Sequence, residues 1–334
     1  MRRWSIKLFR LFGIQVEVHA SFALLLGLVA MWGYQEAGPA GIAGGMIFTA
    51  LIFTSVLMHE YGHCLAARRY GVRIPRILLL PIGGMAQFSH IPREPRKELI
   101  ITAAGPLVNF LIAGALFAVL GVPSYFSYNP FSLHPLEILT MLIAWNIIMG
   151  LFNLLPIFPM DGGRVLRALL AMRYDYLTAT KIAVHTGKVL GILAIAGAAF
   201  YLHSPLTVAL FAFIIIGGEM EFRQLRTVES YAGLTIADVT LPARWEEVEP
   251  LLGTTPVLQT VWPLEFYAPL FKSQADRLYP VFEGDSFVGA VRTAFFDRAL
   301  HIAHTRRQFR SSAHGQAYSG PNTPPQPPVL PPQH

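Results

Sequence analysis

Long uncharged apolar runs are the feature that most restricts the folds open to this chain. Residues 42–58 contain no charged side chain, and neither do the thirty residues 189–218. A helix needs roughly 18 to 20 apolar residues to cross a bilayer, so runs of this length predict membrane-spanning helices. Only 14% of all residues are charged, against about a quarter in a typical soluble domain. The sequence therefore predicts a mainly α-helical, multi-pass membrane protein.

Six transmembrane spans account for these runs, at residues 19–35, 42–67, 98–121, 136–155, 186–202 and 205–222. Loops that carry several Lys and Arg residues alternate with loops that carry none, as the positive-inside rule requires. This alternation places both termini in the cytoplasm of a cell-membrane protein. It also explains the net charge of +6 without nucleic acid, so no nucleic-acid partner is expected. Residues 189–218 could instead form one long tilted helix, but Pro205 favours a break into two spans.

The segments before and between the spans favour short membrane-associated β-strands. Residues 1–18 are predicted to form a strand-like, membrane-associated segment, because apolar and polar residues alternate around Gly13. Residues 71–88 are rich in β-branched side chains and interrupted by Pro and Gly, which favours short strands or a re-entrant hairpin.

The composition changes after the last span. Charged residues return near residue 227, so the transmembrane domain is predicted at 19–226 and a small α+β cytoplasmic domain at 227–303. The Pro-rich remainder, 304–334, is expected to be disordered.

The sequence His59-Glu60-Tyr61-Gly62-His63, at the end of the second span, contains the residues that a zinc hydrolase needs. Residues four apart project from one face of a helix, so His59 and His63 can bind one Zn²⁺ ion per chain. Two imidazoles leave room for a third protein ligand and a water. Glu60 can accept a proton from water activated by the zinc and pass it to a leaving amine. Ionisable groups beside an apolar run are costly unless they have a function, which favours a metal site.

Asp161, in the sequence NLLPIFPMDGG, is the predicted third ligand. Pro156 and Pro159 cannot continue a regular helix, so the fourth span must end before them. Irregular backbone at membrane depth persists only where it is buried in protein or lines a wet cavity. The break lies on the same side of the membrane as the two histidines. The alternative is that Asp161 caps the helix that begins near Arg164.

These two motifs together resemble the site-2 protease family of intramembrane zinc metalloproteases. The resemblance covers about residues 5–225 and includes GGMAQF at 83–88 and ELIITAAGPLVNF at 98–110. The resemblance implies that His59, His63 and Asp161 bind zinc and that Glu60 is the catalytic base. It also implies that Asn153 holds the substrate backbone or the oxyanion. It also implies cleavage of transmembrane segments of membrane-protein substrates near the cytoplasmic face. Strand 83–88 would pair with an unwound substrate segment.

Two other classes of function fit parts of this pattern. A non-catalytic zinc-containing membrane scaffold or regulatory receptor would share the domain layout, but a structural zinc usually has four protein ligands and only three are evident here. A transporter would need ionisable groups near the middle of several spans.

Cys64 follows His63 directly in the sequence. A helix turns about 100° per residue, so the thiol should point away from the ligands, and Cys64 is predicted to be a packing residue.

Residues 277–300 read as strand, turn, strand and helix. They resemble half of a cystathionine-β-synthase-type (CBS) regulatory module, and some relatives in the site-2 protease family carry such a module at this position. These modules normally act in pairs, so a homo-oligomer formed through the C-terminal domain would complete the pair.

Overall fold

The computed structural model of this protein describes residues 4–89, 92–121, 129–201, 203–271 and 276–314. The chain divides into two units, Met1–Arg226 and Thr227–His334. The division falls where charged residues return in the sequence.

The longest helix of the first unit, α1 (Phe22–Arg68), folds back on itself. Gly38 has φ 60°, outside the helical region, and Pro39 disfavours helical backbone at the residue before it. The rings of Phe22 and Phe53 lie 4.5 Å apart, although a straight helix would separate them by about 46 Å. The two halves of α1 are therefore antiparallel, and they correspond to the first two predicted spans.

Among the described residues, five further helices follow α1, and the last of them ends three residues beyond Arg226: α2 (Pro95–Leu120), α3 (Pro135–Asn153), α4 (Asp161–Leu170), α5 (Tyr176–Phe200) and α6 (Pro205–Glu229). Among the described residues, four helices are long and apolar enough to cross a membrane, namely α1, α2, α3 and α5. The structure is thus mainly helical, with several apolar helices, as predicted.

The third and fourth predicted spans match α2 and α3 to within three residues at each end. Helix α5 begins ten residues before the fifth predicted span, which starts at residue 186. The side chain of Asp175 accepts a hydrogen bond from the Thr178 amide at 2.8 Å and so caps a polar first turn, which a search for apolar residues does not detect. The predicted break in the helix is present, since α5 ends at Phe200 and α6 begins at Pro205.

A four-stranded sheet completes the first unit. Its strands are β1 (Ser5–Leu11), β2 (Ile14–His19), β3 (Arg76–Leu80) and β4 (Gly83–Gln87), in the order β1-β2-β3-β4. The β2–β3 pair is parallel and the other two pairs are antiparallel. Strands were expected in both regions of the sequence, and both are present. The strands β1 and β4 are the edges of the sheet.

One face of this sheet packs on the second half of α1. Ile14, Val16 and Ile77 of the sheet form one buried cluster with Tyr61 and Cys64 of the helix. This packing holds the strands beside the helix that carries the predicted histidine ligands.

The second unit contains a three-stranded sheet of β5 (Leu258–Gln259), β6 (Leu278–Glu283) and β7 (Ser286–Arg292). Its helices are α7 (Ile236–Val239), α8 (Trp245–Val248), α9 (Leu264–Phe271) and the longer α10 (Phe296–His314). Strands β6 and β7 form an antiparallel hairpin followed by α10, which is the order predicted for residues 277–300.

The expected disordered tail is wrong over residues 304–314, because α10 continues to His314. This stretch contains Arg and Gln, which favour helix, and lacks Pro and Gly. The Pro-rich part of the prediction, residues 315–334, lies outside the described residues.

Candidate metal centre

Three predicted ligands meet where the second half of α1 faces the start of α4. His59 and His63 lie one turn apart on α1, and both are buried. Asp161 is the first residue of α4, and the N-cap position belongs to Met160. The prolines of the intervening segment end α3 at Asn153 and let the chain return. The alternative role of Asp161 as a helix cap is therefore wrong.

The three ligand atoms form a nearly equilateral triangle. His59 Nε2 lies 3.1 Å from His63 Nε2, and Asp161 Oδ2 lies 3.2 Å and 3.3 Å from these two nitrogens. Tetrahedral zinc with bonds of about 2.0 to 2.2 Å places its ligand atoms roughly 3.3 to 3.5 Å apart. The spacing therefore fits one zinc ion.

The hydrogen bonds of the imidazoles define which nitrogens face this triangle. His59 Nδ1 lies 2.6 Å from Asn109 Oδ1, and His63 Nδ1 lies 2.8 Å from the carbonyl oxygen of Ile101. Both partners only accept hydrogen bonds, so Nδ1 carries the proton in each ring and Nε2 presents a lone pair. Three electron-pair donors thus converge on one point.

Asp161 adds a second sign that a cation belongs here. Its Oδ2 atom is buried and has no hydrogen-bond donor among the described residues, an arrangement that calls for a compensating partner. A bound metal ion would supply that partner and would hold the carboxylate in its ionised form.

A buried chain of amides supports His59 from behind. Asn109 of α2 donates to Asn146 Oδ1 of α3 at 2.9 Å, and Asn146 donates in turn to Ser55 Oγ of α1 at 3.1 Å. The chain joins three helices and fixes the orientation of the imidazole. The sequence analysis did not predict this role of Asn109, although a polar residue within an apolar helix indicates a hydrogen bond between helices.

Gly105 of α2 leaves room for the pair of histidines. A Cβ atom at this position would lie 2.2 Å from His63 Nε2 and 2.8 Å from His59 Nε2. Any larger residue would have to displace the ligand atoms.

Glu60 turns from the helix towards the edge strand β4. Its Oε2 atom accepts a hydrogen bond from the backbone amide of Ala86 at 3.1 Å. A Cβ atom on Gly84 would lie 2.6 Å from Glu60 Cγ, so the strand and the helix approach closely only because residue 84 is glycine. The predicted base therefore lies between the ligand triangle and a free strand edge.

All five predicted site residues line one cleft of about 900 Å³, together with β4 and Arg164. Asn153 lies at the wall of this cleft, where its side-chain amide donates to the carbonyl oxygen of Met149 at 3.0 Å. Cys64, by contrast, is fully buried in the cluster between α1 and the sheet. The interpretation of Cys64 as a packing residue is confirmed.

A buried charge cluster lies behind Asp161, and the sequence did not reveal it. Arg167 of α4 is 3% exposed and donates through Nε to Glu98 Oε1 of α2 at 2.8 Å, with a second bond from Nη2 to the same oxygen. Glu221 of α6 accepts from Arg164 at 3.2 Å and lies 3.5 Å from Arg167. The cluster ties three helices together within two turns of Asp161.

The chain is similar to proteins of one known family. Residues 47–132 and 127–195 match the family model described as peptidase family M50. A zinc metalloprotease of Methanocaldococcus jannaschii, MJ0392, is 37% identical over 243 residues, which are 72% of this chain and 67% of that protein. A solved structure, the site-2 protease from Methanocaldococcus jannaschii, is similar with 38% identity and a TM-score of 0.48, over 66% of this chain and 95% of that one.

Proposed function

Because this chain belongs to peptidase family M50 and is a multi-pass membrane metalloprotease that uses zinc, we propose that it hydrolyses peptide bonds within transmembrane segments of other membrane proteins. The observation that carries this proposal is the position of the ligand triangle, which lies between apolar helices and beside a free strand edge in one cleft. A protease of soluble peptides would have no need to place its metal among helices of this kind.

We assign the metal to His59, His63 and Asp161, whose facing atoms are 3.1 to 3.3 Å apart. Zinc held by these residues would act as a Lewis acid on the peptide carbonyl and would lower the pKa of water to about 7. Asn109 and the carbonyl of Ile101 keep both imidazoles in the tautomer that binds metal.

Glu60 is the proposed general base. It follows a ligand residue directly on the helix, and its carboxylate reaches into the cleft. There it would accept a proton from the attacking water and return that proton to the leaving amine. Asn153, on the wall of the same cleft, would donate a hydrogen bond to the substrate backbone or to the developing oxyanion.

The edge strand β4 is the proposed docking site for the substrate backbone. A transmembrane helix hides its peptide bonds within its own hydrogen bonds, so a segment must unwind before it can be cut. Its freed amide and carbonyl groups then need partners, and strand addition at an edge supplies them. The amide of Ala86 points away from β3 and towards the cleft, since it donates to Glu60.

The proposed topology has six spans and cytoplasmic termini. The two antiparallel halves of α1 contribute two spans, and α2, α3, α5 and the apolar part of α6 contribute four more. The basic residues Arg68 and Arg69 at the end of α1 would then place the cleft near the cytoplasmic face. The second unit, residues 227–314 as far as described, would lie in the cytoplasm and could associate with a second copy.

A non-catalytic scaffold with a structural zinc site remains the competing proposal. Structural zinc sites are normally closed by four protein ligands, whereas three residues form the group found here among the described residues. The open position favours catalysis.

The test compares the wild-type chain with Glu60→Gln in lipid vesicles, using single-span test substrates. One set carries Gly-Pro in the cytoplasmic half of the span, and the other carries Ala at the same positions. We expect Glu60→Gln to bind one zinc per chain and to lose at least about a hundredfold in cleavage rate. The control Glu94→Gln alters an exposed ion pair with Lys97 and should cleave normally. Unchanged cleavage by Glu60→Gln would contradict the proposal, and so would the absence of cleavage by the wild-type chain in every substrate.

A further inference from the structure

The N-terminal hairpin of β1 and β2 carries an apolar surface that neither the metal centre nor the packed core uses. The side chains of β1 are largely exposed, with Ile6 64% and Phe9 46% accessible. The neighbouring residues Ile14 and Val16 of β2 are buried. The strand β1 therefore extends beyond the part of the sheet that packs on α1.

A β-bulge sorts the side chains of β1 onto two faces. Lys7 pairs with Glu17 but Phe9 pairs with Val16, so Leu8 is an extra residue in the ladder. Strict alternation would have put Lys7 and Phe9 on the same face. Because of the bulge, Phe9 instead follows Ile6 onto the other face.

Cross-strand partners share a face of the sheet. Ile6, Phe9 and Leu11 are paired with Val18, Val16 and Ile14, whereas Lys7 and Arg10 are paired with Glu17 and Gln15. The apolar face of β1 thus continues the sheet face that packs on α1, and its cationic face points the opposite way. An exposed strand with this separation is amphipathic.

The hairpin is fixed to both ends of α1. Two residues separate the end of β2 at His19 from the start of α1 at Phe22. At the other end, Arg68 donates to the carbonyl oxygen of Phe12, and the hydroxyl of Tyr61 donates to the carbonyl oxygen of Leu11 at 3.3 Å. The hairpin therefore lies beside both ends of a helix that is long and apolar enough to cross a membrane.

We propose that this hairpin is an interfacial membrane anchor. The apolar face formed by Ile6, Phe9 and Leu11 lies against lipid acyl chains beside α1, and Lys7 and Arg10 on the opposite face lie among the lipid phosphates. The direction of the apolar face carries the proposal, because this face continues the side of the sheet that packs on α1, a helix long and apolar enough to cross a membrane. The cations complement the negative charge of phospholipid headgroups. Because β1 and β4 belong to one sheet, the anchor would also hold the cleft at a constant depth.

The test measures depth and does not depend on protease activity, so it can fail or succeed separately from the proposed function. Phe9→Cys and Lys7→Cys each receive a fluorescent label in the full chain, reconstituted into vesicles of phosphatidylcholine and phosphatidylglycerol. The natural Cys64 is buried and should not react, and the unsubstituted chain serves as the blank. Both substituted positions are exposed, so neither change should impair folding.

We expect nitroxide-labelled lipid to quench the label at residue 9 several times more strongly than the label at residue 7, and aqueous iodide to show the opposite order. Equal quenching at both positions, or iodide quenching at residue 9, would overturn the proposal. The measurement is repeated in nanodiscs that hold one chain each. If the protection at residue 9 then disappears, a second copy of the chain covers the hairpin and the lipid contact is wrong.

Discussion

Gly105 of α2 lies so close to His63 of α1 that a Cβ atom at position 105 would come within 2.2 Å of the imidazole Nε2. This contact makes the packing of two apolar helices part of the metal centre. The absence of a side chain on one helix leaves space for the ligand atoms of the other.

Gly105→Ala should therefore lower zinc binding and cleavage together. The added methyl group must push the imidazoles apart, because the packed backbone of α2 has little freedom to move. We expect a loss of at least about tenfold in zinc affinity, measured by titration with a competing chelator. Gly114→Ala is the matched control on the same helix, since a Cβ atom there meets nothing within 4 Å. Equal effects of the two substitutions would refute this explanation.

Asn109→Leu should weaken zinc binding without unfolding the protein. The change removes the oxygen that accepts the hydrogen bond from His59 Nδ1, and loss of such an orienting partner typically costs 10- to 100-fold in metal affinity. The same chelator titration measures the loss. Thr54→Val is the control, because Thr54 is exposed and its hydroxyl bonds only within its own helix. Wild-type zinc affinity in Asn109→Leu would show that the amide chain does not orient the ligand.

Ala86→Pro should impair cleavage while leaving zinc content unchanged. Proline has no amide hydrogen, so the change removes the bond to Glu60 and one donor for the substrate strand. An edge strand tolerates proline where the amide points away from the ladder. We expect a decrease of at least about tenfold in kcat/KM, because one backbone hydrogen bond and the position of the base are both lost. Ala86→Ser keeps the amide and should retain near-normal activity. Activity in the proline variant equal to that of the serine variant would exclude a role for this edge.

Arg167→Leu should destabilise the membrane unit strongly. The substitution leaves the carboxylate of Glu98, which is 1% exposed, without its cationic partner. Removing one member of a buried ion pair typically costs about 3 to 5 kcal/mol. Thermal unfolding in detergent, followed by circular dichroism, should show a clear fall in the midpoint.

Two further variants test whether the unpaired charge of Glu98 causes this loss of stability. Arg223→Leu breaks an exposed pair with Glu219 and should cost no more than about 1 kcal/mol. The double variant Arg167→Leu/Glu98→Leu should recover part of the loss, because it removes the unpaired charge. A double variant less stable than Arg167→Leu would mean that the charge pair is not the cause.

The helices could be predicted because hydropathy is a local property of the chain. The predicted spans at 98–121 and 136–155 agree closely with α2 and α3, and the prolines after Asn153 end α3 as expected. Prediction was poorer where other local effects decide the ends of a helix. The Asp175 cap extends α5 beyond its apolar part, and residues 304–314 are helical without being apolar.

The candidate site was only partly visible in the sequence. The spacing of His59 and His63 predicts two ligands on one helix face, because the helical repeat is known beforehand. Asp161, about a hundred residues later, could be chosen for its helix-breaking surroundings, but not its distance from the two histidines. The partners of these residues, Asn109, Glu98 and Arg167, belong to helices whose relative rotation no local pattern defines.

The sequence by itself determined which segments are helical and apolar, and which residues are able to bind zinc, because hydropathy and helical periodicity depend on neighbouring residues. Only the tertiary structure decided that Asn109 orients His59, that Gly105 makes room for His63, and that Ala86 of the edge strand meets Glu60. The residues in these three contacts are 50, 42 and 26 positions apart in the chain. They depend on how helices and strands pack, and packing is a property of the whole folded chain.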